Sequence, residues 1–343
     1  MTSPSIQNGR RQRGVGLIEL MVALVIGLFL ILGAVTVFNQ SRNAYRASEG
    51  VARMQETARL ALDVIEADLR MANYWGMSNR ADYIVNRAGP SQSPPAEFTA
   101  QQRTNVSLCG SAASNFMIDL GTYVGGFNGT YGLQCAASNY AAGTDVVFVR
   151  RANEARPAAL DPNRVYLQTS RIQGTLFVPD AGCTDPSDAD CIPAAYLPPA
   201  SESRELEVRA YYVSSQSTFR TDVPALRRKR LADVNSTDAT SAVLDEEIVA
   251  GVEDMQVLLG VDNTGDSNID QYVLPGAVPA NAQVISVTIW LRIRAEDRDF
   301  GHRDGDSYQY QPTITGFMTT FTPNDNYRRI VVSRTIHIRN TRI

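Results

Sequence analysis

Histidine is almost absent: His302 and His337 are the only two in 343 residues. A catalytic histidine needs a nucleophile or metal held beside it. His302 sits in the polar run His302-Arg303-Asp304-Gly305-Asp306, and His337 in an alternating strand near the C-terminus. Both read as surface residues. There is no Gly-x-Ser-x-Gly motif and no Gly-x-x-x-x-Gly-Lys loop, so neither a serine-hydrolase elbow nor a phosphate cradle is available. No Cys-x-x-Cys pair exists among the four cysteines, which makes zinc ligation a poor reading. No repeat of 20–50 residues is visible. Positive charge is not in surplus, the net being −4. An acidic balance does not supply a sequence-independent grip on nucleic acid. The residues give no positive support for an enzyme. The apolar and aromatic content is that of a globular domain.

What is present is concentrated at the N-terminus. Arg10, Arg11 and Arg13 precede Gly14, and Val15 to Phe38 is apolar apart from Glu19. A secretory signal has an apolar core of about 7–15 residues followed by a small-residue cleavage site. This run is longer, and no Ala-x-Ala site follows it. A plain single-span anchor needs about 20 apolar residues and fits the length. It explains neither Glu19 nor the abrupt Gly14–Val15 junction. A lone acid costs roughly 3 kcal/mol or more at a bilayer centre. The three arginines hold the leader in the cytoplasm and set a single-pass orientation. Losing them takes the side-chain charge from −4 to −7.

The span continues as helix. Val51, Met54, Ala58, Ala61, Leu62, Ile65 and Leu69 recur at three- and four-residue steps, with Arg53, Glu56, Arg59, Asp63, Glu66 and Arg70 on other faces. No proline occurs from Val15 to Trp75, and Gly76 is a plausible terminator. One helix from about Leu17 to Asn73 is expected, against the alternative of a break near Asn39-Gln40-Ser41. From Met77 to Thr144 the signal thins to loop with a few strands. Strands are expected at Asp145–Arg150, Val165–Leu167, Leu176–Val178, Leu206–Val213, Ile248–Val261 (with a bend), Val284–Ile293 and Ile330–Ile338. The fold class is therefore α+β: a long N-terminal helix, membrane half then amphipathic half, before a mainly antiparallel β-rich head.

Gly14-Val15-Gly16-Leu17-Ile18-Glu19-Leu20-Met21 resembles the cleavage region of type IV pilins and type II secretion pseudopilins. The resemblance implies that prepilin peptidase cuts after Gly14, that the amine of Val15 is N-methylated, and that Glu19 meets a neighbouring subunit's N-terminal amine during assembly. Val15 where major pilins carry Phe, and Thr36 where they tend to carry proline, point to a minor pilin or pseudopilin. Asp145–Val149, Tyr211-Tyr212-Val213, Pro224–Arg230, Gly251–Val257, Asp270–Val273 and Val284–Arg294 resemble PilW-type minor pilins. The Gly251–Val257 stretch also resembles J-type type II secretion pseudopilins. The implied organisation is a cleaved leader, 1–14, a pilin helix, 15–75 with 15–38 in the membrane, and a head, 76–343, with insertions at about 85–143 and 179–200. The implied partners are other minor pilins, the major pilin, prepilin peptidase and the inner-membrane assembly platform. The implied location is the inner membrane with the head in the periplasm, then the extracellular pilus. The role expected is assembly or priming near the pilus tip. The alternatives are a secretion pseudopilin and an adhesive or DNA-binding tip subunit.

Beyond an inner membrane the compartment is oxidising, so Cys109, Cys135, Cys183 and Cys191 read as two disulfides. Three connectivities are open, of which nearest-neighbour pairing is favoured. No cofactor is called for, calcium being the one ion any spacing suits. Asp262, Thr264, Asp266, Asn268 and Asp270 place oxygens at positions 1, 3, 5, 7 and 9 of a loop. Ser267 replaces the usual glycine there, and Val273 stands where a bidentate Glu is wanted. A polar hairpin turn explains most of the same residues. Arg227-Arg228-Lys229-Arg230 reads as a solvated strand edge or subunit contact, with DNA or anionic lipid as the alternative.

Overall fold

The structure is a computed structural model describing residues 14, 16–89, 92–110, 115–194, 200–310 and 320–341. Helix α1, Leu17–Arg70, is continuous, so the break near Asn39–Ser41 does not occur. The chain divides into two compact units between Gly50 and Val51. In the first, the apolar side chains from Leu17 to Phe38 are exposed. In the second, Met54, Ala58, Ala61, Leu62, Ile65 and Leu69 of α1 are buried in the main core. That stripe is the three- and four-residue repeat of a helix with one apolar face. After Arg70, Asn73 (φ 62) and Gly76 (φ 87) turn the chain away. A Cβ at Gly76 would fall 2.7 Å from the Thr169 hydroxyl, so glycine is needed there for space as well as conformation.

Fourteen short to long strands follow among the described residues. They are β1 Ile84–Val85, β2 Val124–Phe127, β3 Val146–Ala152, β4 Tyr166–Thr169, β5 Gly174–Phe177, β6 Glu202–Ser214 and β7 Ala225–Leu231. Then come β8 Val243–Ala250, β9 Val252–Asp262, β10 Gln271–Val273, β11 Gln283–Arg294, β12 Tyr308–Gln309, β13 Thr320–Phe321 and β14 Arg329–His337. An eight-stranded sheet runs β1-β5-β4-β6-β3-β2, with β7 joining β6 to β8. Only β1–β5 is parallel in it. The length of β6 lets it pair successively with β4, β3 and β7. A four-stranded antiparallel sheet runs β10-β9-β11-β14, and β12–β13 form a small ribbon. The architecture is α+β, one long helix before mostly antiparallel sheets.

Three expectations need correction. Ile248–Val261 is not one bent strand. Gly251, at φ 94, separates β8 from β9, and the two lie in different sheets. The stretch from Met77 to Thr144 is not only loop and strand. It holds α2, Ala100–Ser107, whose start is a capping box: the Thr99 side chain accepts from Gln102 N, and Gln102 accepts from Thr99 N. Finally, β7 is not an edge, because it pairs with β6 on one side and β8 on the other.

Both disulfides are local. Cys109 bonds Cys135, and Cys183 bonds Cys191. They lie in the two segments read as insertions, parts of which (90–91, 111–114 and 195–199) are outside the described residues. The first bridge brings Cys109 into the main core; the second ties a loop beside the small cluster of Leu160, Tyr166 and Ile192.

Candidate assembly site

Glu19 lies in the first turn of α1. Its Oε2 accepts a hydrogen bond from Gly16 N at 3.0 Å. A carboxylate there satisfies one of the amides a helix start leaves unpaired and sits at the positive end of the helix dipole. Gly14 is exposed; Val15 lies outside the described residues, as does the leader before Gly14. Farther along, the Thr36 hydroxyl donates to Gly33 O at 2.8 Å. That keeps a polar group satisfied inside an apolar stretch while leaving the helix unbroken, where a proline would remove a backbone donor. The helix is long and apolar enough to cross a membrane.

The packed half of α1 carries a second acid that the sequence reading passed over. Asp68 is 1% exposed. Its Oδ1 accepts from Arg151 Nε at 3.2 Å and Nη2 at 3.0 Å, and from Arg209; its Oδ2 accepts from the Tyr211 hydroxyl. Glu207 pairs with both arginines in turn. Burial alone would lower the pKa of Arg209, but the Asp68 carboxylate outweighs it and holds the pKa raised. Asp68 stands three residues after Ile65 and seven after Ala61, on the apolar stripe itself, and that placement was its signal.

The stretches that carried the resemblance to minor pilins fall on junctions. Asp145, just before β3, is fully buried: its Oδ1 accepts from Gly129 N at 2.7 Å and its Oδ2 from Val257 N at 2.8 Å. Burial pushes its pKa up to about 7, against the lowering effect of those two amides. Its own N–H donates to Met255 O, so this one residue joins β3 to β9 across the two sheets. Asp254 on β9 pairs with Arg292 on β11 at 3.2 Å, and its neighbour Glu253 accepts from Arg292 and Arg329. Burial raises the pKa of Asp254. Trp75 is fully buried in the main core and Trp290 packs with Tyr310, so both are structural.

The basic run on β7 faces acids of β8. Arg227 meets Asp245 and Glu247, Arg228 and Arg230 meet Glu246, and Lys229 meets Asp245. For Asp245, burial is outweighed by hydrogen bonds from Tyr212, Lys229 and Arg227, and its pKa is lowered. The run is a cross-strand ion-pair ladder, and it does not present a basic patch to DNA or lipid.

The Asp262–Asp270 loop closes on its own amides. Asp262 Oδ1 accepts from Thr264 N at 2.9 Å and Gly265 N at 2.6 Å, and its Oδ2 from Ser267 N at 2.8 Å. Asp270 Oδ2 accepts from Asn263 N at 2.7 Å. Asp266 accepts from Asn268 N, and Ser267 takes a positive φ of 64. These are the bonds of a polar turn. Among the described residues no group of three or more His, Cys, Asp or Glu is arranged to hold a metal ion. His302 is a half-buried loop residue whose N–H donates to Asp299 O, and His337 is exposed on β14.

The fold and the site define a class of chain: a helix long and apolar enough to cross a membrane, with one acid in its first turn, ahead of a β-rich unit. Residues 9–35 match the prokaryotic N-terminal methylation motif, and residues 210–340 match the family of Type IV Pilus-assembly protein W. The two matches support a type IV pilus minor pilin of the PilW type. These families are structural pilus components. No match was found among curated proteins or among solved structures. The second matched stretch runs from within β6 to just past β14, and both disulfides lie outside it.

Proposed function

We propose that this chain is a minor pilin that primes type IV pilus assembly at or near the tip. Before assembly it stands in the inner membrane with its head in the periplasm. Prepilin peptidase cuts after Gly14, and the amine of Val15 is methylated. The observation that carries the reading is Glu19, a single acid in the exposed apolar stretch of α1 that, among the described residues, accepts from its own Gly16 amide. In a bilayer or a bundle of such helices, that carboxylate is stabilised by a cation brought close to it, and a neighbour's N-terminal amine is such a cation. Main partners are then the major pilin, other minor pilins and the assembly platform.

The test is N-terminal peptide mass spectrometry of the protein from sheared filaments and from membranes, beside Glu19→Ala. The expected result is a methylated Val15 terminus, with wild type in filaments and the variant left in membranes. An uncut leader retained in membranes overturns the reading. So does a deletion that abolishes protein secretion and leaves pili intact, the outcome a secretion pseudopilin predicts.

A further inference from the structure

We propose that Arg42 and Arg46 of α1, with Tyr45 beside them, clamp the phosphates of anionic phospholipid headgroups at the periplasmic surface of the inner membrane, and so fix the depth at which the helix stands. This rests on the proposed function for the membrane and for the side on which the head lies.

Length sets the level of these residues. At 1.5 Å per residue, the exposed apolar stretch from Leu17 to Phe38 is roughly 33 Å long. That is close to the bilayer's hydrocarbon thickness of about 30 Å. Arg42 then stands about 6 Å beyond Phe38, and Arg46 about 12 Å beyond. The headgroup layer on each side is roughly 5–7 Å deep. Side chains on a helix lean back toward its N-terminus, so both arginines reach toward the bilayer. Arg42 shows the lean directly: its guanidinium carbon lies 5.8 Å from the centre of the Phe38 ring, one turn earlier. Tyr45 is exposed, and a tyrosine at this level puts its ring in the apolar boundary and its hydroxyl in water.

Charge selects the occupant. No acid occurs between Glu19 and Glu49. Neither Arg42 nor Arg46 has an ion pair among the described residues. Farther along the same helix, Arg59 and Arg70 pair with Asp63 and Glu66. Arg42 and Arg46 are four residues apart, so they share a face, where like charges repel. An anion held between them turns that repulsion into attraction. Guanidinium groups take phosphate oxygens two at a time, and basic residues flanking a span draw anionic lipid to it. An acidic face on a neighbouring subunit offers the same charge. Before assembly, however, it is headgroups that stand at this level. On the proposed processing, cleavage after Gly14 takes away Arg10, Arg11 and Arg13. Arg42 and Arg46 are then the arginines nearest the apolar stretch, and the charge that fixes its depth passes to the periplasmic side.

The experiment reads depth by thiol labelling. The full-length protein with Ser41→Cys is placed in phosphatidylcholine vesicles with and without phosphatidylglycerol, diluted so that most vesicles hold a single copy. An uncharged, membrane-impermeant maleimide is then added. The four native cysteines are already paired. A helix held down with headgroups gathered over it hides the new thiol, so labelling should be at least threefold slower with phosphatidylglycerol. Arg42→Gln with Arg46→Gln should abolish that difference with thermal unfolding unchanged, and Arg42→Lys with Arg46→Lys should keep part of it. Equal rates in the two vesicles, or a lipid dependence that survives the double Gln variant, overturns the clamp. So does slowing that free inorganic phosphate reproduces in phosphatidylcholine alone. Slowing that appears only when several copies share a vesicle also overturns it, as the outcome an acidic face on a neighbour predicts. The N-terminus of the protein from cells is read beside these samples. An uncut leader with lipid-dependent labelling leaves the clamp standing while the minor-pilin reading falls; a methylated Val15 terminus without lipid dependence does the reverse.

Discussion

Helix α1 carries two acids on apolar ground, and their surroundings differ. Asp68 is enclosed by Arg151, Arg209 and Tyr211 of the same chain. Among the described residues, Glu19 accepts only from the Gly16 amide at the helix start. An acid placed among apolar side chains needs a compensating cation, and among the described residues Asp68 has two and Glu19 has none. The difference separates a group that serves the fold from one that, on the proposed function, meets its cation in a neighbouring subunit. It also matches the two halves of the helix: one stripe is buried in the main core, while the side chains from Leu17 to Phe38 are exposed among the described residues.

The sharpest way to break this comparison is to remove each acid and read both folding and assembly. Glu19→Ala should leave unfolding of the full-length protein in detergent unchanged and should lose nearly all of its filament-associated fraction. Asp68→Ala should do the opposite first. Stripping the acid from buried arginines costs about 3–5 kcal/mol in general. The lower end, about 3 kcal/mol, is expected because Glu207 still pairs with both arginines. Denaturant unfolding of the full chain measures it. If Asp68→Ala unfolds like wild type, or Glu19→Ala unfolds early, the two acids do not divide the work as described.

Asp145 extends the comparison into pH. Its native pKa is raised to about 7, from an ordinary value of 3.8, because burial outweighs its two amide bonds. Between those values the folded chain keeps a proton that the unfolded chain has released. Its contribution to stability therefore falls as pH rises from about 4 to about 7 and levels off above. Across that window the change is on the order of 2–4 kcal/mol. Asp145→Asn should remove this part of the slope, so the wild-type minus variant difference in unfolding free energy should shrink steadily from pH 4.5 to 7.5. A difference that does not change with pH would show that Asp145 is ionised throughout.

How much of this was legible in the sequence follows from which signals are local. The α1 stripe announced itself because a 3.6-residue period survives any tertiary context. Asp68 lies on that stripe, where an acid breaks the apolar pattern without showing which distant arginines meet it. Helix α2 has no apolar stripe, and Thr99 with Gln102 was its one mark. The basic run of β7 looked like an edge because charge alone does not tell an edge from an interior strand. The acids Asp245-Glu246-Glu247, a short loop later, were the missing half of the pattern. The bend expected somewhere in Ile248–Val261 falls at Gly251. Its positive φ makes it a boundary between sheets, which only the pairing of β8 and β9 with different neighbours reveals.

The smallest effect concerns the Asp262–Asp270 loop, where a metal-ligand spacing and a turn use the same residues. A calcium loop keeps its carboxylate oxygens for the ion and lets backbone amides point elsewhere. Here the amides of Thr264, Gly265 and Ser267 converge on Asp262, and those of Asn263 and Thr264 on Asp270. Burial would raise the Asp262 pKa, but its amide donors outweigh that and hold it lowered. The carboxylate thus stays charged and is neutralised by the loop itself. A ligand that binds only the folded state raises its unfolding temperature, by an amount that grows with the logarithm of its concentration over its dissociation constant. Millimolar calcium should therefore move the unfolding temperature no more than the same concentration of magnesium. Asp262→Ala should lower it by a few degrees whether or not calcium is present, since the turn loses its acceptor in both cases. A shift that grows with calcium concentration, is specific to calcium and is abolished by Asp262→Ala would mean that the amides release the carboxylates on binding, and that this loop waits for something outside the chain, the role proposed for Glu19.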